Sequence, residues 1–177
     1  MPREYPAWDM DDNTRRQLGE GLDGALYSGV PGGADVEAVV QQVGRERLLE
    51  AMSGTTDKSS REWKNARDNL SRWRRGARHP NEASRNQLRG AAEARRRDQV
   101  RDRGHARVRF NATFITSKKP WEGYAVGDLT GPDLDDFLAA QAAGNSELAA
   151  QIVSEAYGLD PEFVLGIEGP SGFEIQW

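Results

Sequence analysis

Three hydroxyl side chains beside two lysines are the residues of this chain whose types and spacing suggest chemistry most directly. They are Thr113, Thr116 and Ser117, and Lys118 and Lys119 follow them. A Ser or Thr hydroxyl can attack phosphorus once a base or a metal ion activates it, and ammonium groups nearby attract a phosphate. The same residue types are common in turns, so the pattern alone favours an ordinary loop.

Other catalytic patterns are missing from the sequence. There is no cysteine, which excludes disulfides and thiolate zinc sites, and the two histidines, His79 and His105, stand far apart. No Walker A loop, GxSxG elbow or dinucleotide fingerprint occurs. Three acids fit the first turn of a helix, where the helix dipole favours negative charge: Asp133, Asp135 and Asp136. We therefore expect no enzyme activity, no metal and no cofactor.

Charge is divided unevenly along the 177 residues, although the net charge is only −4. Residues 1–57 hold 5 Lys and Arg against 11 Asp and Glu, residues 58–119 hold 19 against 6, and residues 120–177 hold none against 11. A phosphate backbone responds to the potential within roughly 10 Å of it rather than to the net charge of the whole chain. We therefore expect the middle segment to bind DNA and the acidic segment to contact proteins.

Residues 59–76 predict the helix that would present this positive charge. Ser59 and Glu62 have the spacing of a capping box, and Gly76 stands where the helix should stop. Residues at intervals of three and four predict its buried face: Trp63, Ala66, Leu70, Trp73 and Ala77. A solvated amphipathic helix with ordinary surface charges is the alternative interpretation. The candidate DNA-binding residues lie off or beside this stripe and in the helix that follows: Arg61, Lys64, Arg67, Arg72, Arg74, Arg75, Arg78, Arg85, Arg89 and Arg96.

The N-terminal part of the chain predicts a series of helices after a flexible tail over residues 1–12. Thr14 and Gln17 suggest a second capping box, before a helix whose inner face would carry Leu18, Leu22 and Leu26; three glycines weaken that prediction. Valines at helical spacing predict a core helix over 36–43, and its apolar stripe continues to Gly54. A turn over 53–58 then precedes the basic helix, which is the order of a helix-turn-helix. A second Arg-rich helix is predicted over 82–103.

The hydrophobic period changes from helical to alternating after residue 104, which predicts a strand over 106–115. A loop over 116–120, a strand over 124–129, two helices and a hairpin made by 163–167 and 173–177 should follow. The expected fold is α+β, with a helical helix-turn-helix DNA-binding domain over 13–104. A small α+β domain over 105–177, acidic from residue 120, completes the predicted organisation.

The location expected from composition is the cytoplasm, at the nucleoid. No stretch approaches the ~20 consecutive apolar residues of a membrane span. The N-terminal residues MPREYPAWDMDD are acidic, where a signal peptide would be positive and then apolar.

Several stretches resemble the telomere terminal proteins of linear streptomycete replicons, a family joined covalently to 5′ DNA ends. The N-terminal part of the likeness is the run GEGLDGAL over 19–26 and, after the predicted helix-turn-helix, RRGARHP over 74–80. The C-terminal part is LTGP over 129–132, FLAAQAAG over 137–144 and QIVSE over 151–155. These stretches follow the order and approximate spacing of the family.

The resemblance implies a terminal protein that caps DNA ends and primes their replication through a Ser or Thr hydroxyl, as acceptor substrate rather than enzyme. In the family the linked residue is a threonine between the Arg-x-Arg-Phe-like strand and the C-terminal helices. That position corresponds to Thr116 and Ser117 here, and Thr113 remains a third candidate. The implied partners are a DNA polymerase and a telomere-associated protein, and a second copy of the chain is a further candidate. The alternative is a helix-turn-helix regulator of a plasmid or phage operator, which would read a palindrome as a dimer.

Overall fold

The structure, a computed structural model, describes residues 12–116, 119–156, 164–167 and 173–177. Within these ranges it has seven helices and four strands, and it confirms the α+β fold class. The elements in chain order are α1 (Asp12–Leu26), α2 (Val36–Val43), α3 (Arg45–Ser53), α4 (Arg61–Arg74), α5 (Glu82–Arg103), β1 (His105–Thr116), β2 (Lys119–Thr130), α6 (Gly131–Ala142), α7 (Ser146–Ala156), β3 (Val164–Ile167) and β4 (Glu174–Gln176).

The chain divides into two compact units, which we call the helical unit and the sheet unit. The helical unit comprises residues 29–97, and the sheet unit comprises residues 1–28 and 98–177. This division differs from the predicted boundary, which placed α1 with the DNA-binding helices. Three leucines of α1 are fully buried with the strands and with α6 and α7: Leu18, Leu22 and Leu26. Helix α1 therefore belongs to the core of the sheet unit.

Two glycines that weaken the prediction of α1 are the residues that let it pack. A Cβ atom on Gly19 would lie 2.6 Å from that of Ser146 at the start of α7, and one on Gly21 would overlap the Phe173 ring. The cost of glycine in a helix interior, roughly 1 kcal/mol, is therefore offset by tertiary contact. The second predicted capping box is wrong, because α1 begins at Asp12 and Thr14 lies inside the helix.

The sheet is antiparallel and is built on the long strand β1. Strand β2 pairs with β1 along its whole length, from His105 opposite Thr130 to Thr116 opposite Lys119. The predicted loop over 116–120 is therefore shorter, because residues 116, 119 and 120 are strand residues. Strands β3 and β4 each pair antiparallel with a separate stretch of β1, around Thr113 and Val108. They consequently run in the same direction, and the predicted hairpin between them is wrong.

The buried face of this sheet packs against the three helices of its unit. Residues that alternate along β1 contribute Ala106, Val108 and Phe110, as the period of two predicts. The rings of Phe110 and Phe173 stack with their centroids 5.5 Å apart. Leu134 and Phe137 of α6 and Ile152 of α7 close the same core.

The helical unit has its own core, in which α2, α3, α4 and α5 meet. Its buried residues are Val36, Val39, Val43, Leu48, Leu49, Trp63, Ala66, Leu70, Leu88 and Ala92. A single residue, Gly44, ends α2 and begins α3, and its φ of 87° explains why glycine stands there. The amide of Gln87 in α5 donates to the carbonyl oxygens of Ala51 and Met52, which ties α5 to α3.

Candidate nucleic-acid interface

Helix α4 has one buried side and one charged side, as its sequence predicts. Trp63, Ala66 and Leu70 are at most 6 % exposed, and they anchor the helix in the core of the helical unit. Trp73 is half-buried against the same core, whereas Ala77 is exposed and lies beyond the helix. The predicted stripe is therefore confirmed except for its last member, because the helix stops before Ala77.

The start of α4 differs by one residue from the predicted capping box. Ser60 is the N-cap, and its hydroxyl accepts a hydrogen bond of 3.1 Å from the backbone N–H of Trp63. Ser59 instead binds Asp57, since its amide and its hydroxyl both donate to Asp57 Oδ1. The predicted pairing of Ser59 with Glu62 is wrong, because the neighbouring serine occupies the cap position.

The end of α4 is a Schellman motif centred on a left-handed glycine. Gly76 has φ of 68°, its N–H donates to the carbonyl oxygen of Trp73, and the N–H of Ala77 donates to that of Arg72. The prediction that the helix stops at Gly76 is confirmed. The chain then continues through Arg78, His79 and Pro80, which are solvent-accessible, to α5.

The turn that precedes α4 is attached to α3 by a lysine that no sequence pattern singles out. Lys58 forms a salt bridge with Glu46, and its ammonium group lies 6.0 Å from the centroid of the Trp63 ring. The hydrogen bond between these partners raises the pKa of Lys58 and lowers that of Glu46. The connection between α3 and α4 spans residues 54–60, longer than the three or four residues usual in a helix-turn-helix, and that interpretation stays a prediction.

Nine of the ten predicted DNA-binding residues are exposed. On α4 and just beyond it they are Arg61, Lys64, Arg67, Arg72, Arg74, Arg75 and Arg78, and on α5 they are Arg85 and Arg89. Arg96 is the exception, since it is half-buried and burial lowers the pKa of its guanidinium. We call the first group, which shares the exposed surface of α4 with Glu62 and Asp68, the α4 cationic face.

Some of these cations already have partners within the protein. Arg74 makes two parallel hydrogen bonds to Glu37 of α2, with Nε to Oε2 at 2.7 Å and an amino nitrogen to Oε1 at 3.1 Å. This geometry raises the pKa of Arg74 and links α4 to α2. Two other predicted DNA-binding residues form longer salt bridges: Arg67 with Asp68 at 3.5 Å and Arg89 with Glu93 at 3.6 Å.

Other members of the α4 cationic face have no carboxylate against them. Across the residues that the structure describes, Arg61, Arg72 and Arg78 form no salt bridge. Arg75 donates from Nε to the carbonyl oxygen of Ser71, at 3.2 Å, and keeps its positive charge. These four arginines are the strongest candidates for phosphate contacts, since no internal carboxylate neutralises them.

Two of the three candidate hydroxyl residues, Thr113 and Thr116, lie in the hairpin of β1 and β2 within the sheet unit. Thr113 is opposite Glu122, and Thr116, the last residue of β1, is opposite Lys119, the first residue of β2. Ser117 and Lys118 lie outside the described residues. The structure therefore assigns Thr116 to the end of the hairpin and Thr113 to its interior, three residues earlier along β1.

Metal ligands do not cluster in the part of the chain that the structure describes, where no three His, Cys, Asp or Glu residues lie together. His79 is exposed near the end of α4, and His105 contacts the carbonyl oxygen of Arg103 through Nδ1 at 3.3 Å. Of the three acids predicted in the first turn of α6, only Asp133 lies there, because the helix begins at Gly131; Asp135 and Asp136 lie in the next turn, and Asp135 is 3.7 Å from Arg101 of α5.

Comparison with known proteins identifies no relative: no family model, curated protein or solved structure matches the chain. Among the described residues, every helix is too short or too polar to cross a bilayer.

Proposed function

We propose that this chain is a DNA-end-binding terminal protein whose helical unit holds the DNA. The observation that carries the proposal is the α4 cationic face, which stands opposite the buried side of a helix firmly seated in its core. Arg61, Arg72, Arg75 and Arg78 are exposed donors that have no carboxylate partner among the residues that the structure describes. A phosphate backbone is the polyanion that such a set of donors fits, and the exposed Arg85 and Arg89 of α5 extend it.

The second part of the proposal is that a hydroxyl at the end of the β1–β2 hairpin primes DNA synthesis. The hydroxyl oxygen of Thr116 or Ser117 attacks the α-phosphorus of a nucleoside triphosphate, a phosphoester bond forms, and pyrophosphate leaves with the broken bond. The hydroxyl proton passes to a base of the polymerase or to water. The metal ions of the polymerase would activate this oxygen as they activate a primer terminus, so the protein acts as substrate.

The position of Thr116 supports this assignment over Thr113. A residue at the end of a long two-stranded hairpin can enter the cleft of another protein, whereas Thr113 has paired strands on both sides, β2 and β3. The resemblance to terminal proteins points to the same pair of hydroxyls. The proposal implies a DNA polymerase and a telomere-associated protein as partners. It also implies that the protein acts at the nucleoid, in the cytoplasm.

A labelling experiment tests the proposal. The full chain is incubated with its replication polymerase, a labelled nucleotide and a single-stranded terminal template, and is then denatured in detergent. We expect label on the protein that alkali removes, because a phosphate ester of Ser or Thr undergoes β-elimination. Replacing Thr116 and Ser117 together with Ala should abolish the label, while Thr130→Ala, an exposed threonine at the opposite end of the hairpin, should retain it.

The outcomes of this experiment separate the proposal from its alternative. Label that persists in the double variant and disappears in Thr113→Ala moves the attachment site to Thr113. An unlabelled wild-type protein, with a polymerase shown to be competent, favours the operator-binding regulator. That alternative rests on the succession of α3, turn and α4 in one core, which would serve a repressor equally well.

A further inference from the structure

A groove of about 550 Å³ opens in the helical unit beside the end of α4. The start of α2 forms one wall, and the last turn of α4 with the segment that follows it forms the other. The lining residues that carry charged, aromatic or ring side chains are Asp35, Glu37, Trp73, Arg74, His79 and Pro80. Nothing in the proposed contact of α4 with phosphates uses this groove, and no sequence pattern predicts it.

The apolar part of the groove suits a flat group. Trp73 packs one part of its ring against the core of the helical unit and is half-buried, so the remaining part is open to the groove. Pro80 and the imidazole of His79 add two further rigid rings to the lining. Aromatic side chains of this kind bind the faces of unstacked nucleobases, largely irrespective of sequence.

The polar part of the groove favours a hydrogen-bond donor. Asp35 uses Oδ1 to accept from the backbone N–H of Ala38, and Glu37 accepts from Arg74 with both oxygens. Each carboxylate oxygen can accept more than one hydrogen bond, so both side chains retain acceptor capacity. Two carboxylates would repel a phosphate inside the groove, whereas they can accept from the exocyclic amino group of a base.

The surroundings supply the charge that such a ligand needs. Arg72 and Arg75 flank the lining residues Trp73 and Arg74 along the chain, and Arg78 immediately precedes His79. All three flanking arginines are exposed. Helical spacing turns Arg72 and Arg75 to the side of α4 away from Trp73 and Arg74, so the phosphate next to the base would contact Arg78 and phosphates farther along the strand would contact Arg72 and Arg75.

The geometry points to an unstacked nucleobase that bears an exocyclic amino group as the occupant of this groove. The inference rests on the proposed DNA binding and specifies which part of the DNA the helical unit holds: an unpaired base beside the duplex, stacked on Trp73. Its own phosphate would lie near Arg78, and phosphates farther along the strand would lie near Arg72 and Arg75. Cytosine, adenine and guanine fit both parts of the lining, whereas thymine lacks the amino group that the carboxylates require.

The test measures the affinity of the full chain for three fluorescent duplexes, each closed by a hairpin at one end. The open end is blunt, or it carries three unpaired cytosines, or three unpaired thymines. We expect the cytosine duplex to bind about fivefold or more tightly than the blunt one, which corresponds to the lower limit for one stacked base. The thymine duplex has the same charge as the cytosine duplex and should gain less.

A groove-filling variant separates this site from general DNA binding. Ala34 is exposed and lines the groove, so Ala34→Leu should fill part of it without disturbing the core. This variant should bind the cytosine duplex no better than the blunt one, and its affinity for blunt DNA should stay within about twofold of wild type. Ala142→Leu, the same change at an exposed position of α6, is the matched control and should behave as wild type.

Trp73 can be tested directly as well, with a variant that preserves its ring character. Trp73→Ala should lose the preference for unpaired cytosine, and Trp73→Phe should restore most of it. Stacking on a base needs an aromatic ring at this position, whereas a purely structural role in folding does not. A base analogue with stacking-dependent fluorescence, 2-aminopurine, placed in the unpaired tract should change its emission on binding to wild type and not to Ala34→Leu.

Two failures can be told apart. If the chain binds blunt duplex but shows no preference for unpaired bases, or keeps that preference in Ala34→Leu, the groove inference is overturned and the proposed DNA binding stands. If no duplex binds at all, the proposed function itself fails.

Discussion

The helical unit and the sheet unit differ most in charge, and the proposed function gives them separate tasks. The helical unit carries 15 Lys and Arg against 9 Asp and Glu, whereas the sheet unit carries 9 against 19. The first has an α4 cationic face in which four arginines lack a carboxylate partner within the described parts of the chain, and the second pairs Arg101 with Asp98 and Asp135 and Arg107 with Asp128. A protein that binds DNA with one unit and offers a hydroxyl to a polymerase with the other would need this division.

The largest expected effect is on DNA affinity. If it were absent, the charge difference between the two units would not indicate which unit binds DNA. Replacing Arg72, Arg75 and Arg78 together with Ala should weaken duplex binding roughly 100-fold near physiological salt and lower the slope of log K against log salt by about 2 to 3, since each neutralised phosphate contributes ~0.9. Fluorescence anisotropy at several salt concentrations measures both quantities.

A matched triple variant in the sheet unit controls for the loss of positive charge itself. Arg101, Arg103 and Arg107 are also exposed, but Arg101 and Arg107 have carboxylate partners. Replacing these three with Ala should change affinity only a few-fold. Equal losses in the two triple variants would mean that DNA contact is spread over both units.

The elements of the two units differ in how far the sequence determines them. The apolar stripe of α4 and the alternation of β1 could be predicted from the sequence, because both patterns depend only on neighbours within a few residues. The membership of α1 in the sheet unit depends on Gly19 meeting Ser146 and Gly21 meeting Phe173, contacts between residues more than a hundred positions apart. Intrinsic propensity disfavours a helix at such glycines, and tertiary packing outweighs that preference here.

The candidate site shows the same limit. Exposed arginines on α4 follow from helical spacing, yet the sequence contains no signal that Arg74 pairs with Glu37, 37 residues earlier. The groove beside Trp73 is likewise formed by two segments distant in the chain. The choice between Ser59 and Ser60 as N-cap depends on Asp57, which binds Ser59 and leaves Ser60 to cap the helix.

The second prediction concerns the stability of the sheet unit. Gly21→Ala would push a methyl group into the Phe173 ring, and overpacking of this kind costs about 1–3 kcal/mol. Gly24→Ala, in the same helix but with no atom within 4 Å of the added methyl group, should instead stabilise by ~0.5–1 kcal/mol. Urea unfolding followed by circular dichroism measures both, and DNA affinity should be unchanged in the second variant. Equal effects would contradict the packing of α1 against Phe173.

The third prediction concerns the start of α4. Ser60→Ala removes the side-chain acceptor of the Trp63 N–H and should destabilise the helical unit by about 1 kcal/mol. Ser59→Ala removes only a contact with Asp57 on the exposed turn and should cost clearly less. The two neighbouring substitutions make the same chemical change one residue apart, so the difference between their unfolding free energies reports the cap. A larger loss of unfolding free energy in Ser59→Ala than in Ser60→Ala would favour the predicted capping box of Ser59 and Glu62.

The smallest expected effect is on the pH dependence of the helical unit, through the salt bridge of Glu46 with Lys58. The hydrogen bond to Lys58 holds the pKa of Glu46 below its ordinary value of 4.5, and the same contact holds the pKa of Lys58 above 10.5. The contribution of Glu46 is therefore fully present above pH 4.5 and is lost as the pH falls through the lowered pKa. The contribution of Lys58 is present below pH 10.5 and is lost as the pH rises through the raised one. Both side chains are exposed, so the effect should be small and should weaken further in salt.

A double-mutant cycle isolates this pair on the acid side. Glu46→Gln should flatten the fall in unfolding free energy between about pH 5 and the acid end of the titration, and the change should shrink in about 0.5 M salt. In a Lys58→Met background, which removes the charge near the Trp63 ring but keeps a long unbranched side chain, Glu46→Gln should alter the pH profile much less. The same pH effect of Glu46→Gln in both backgrounds would show that Lys58 does not set the Glu46 titration, and the attachment of the turn to α3 would then depend on the remaining contacts of residues 54–60.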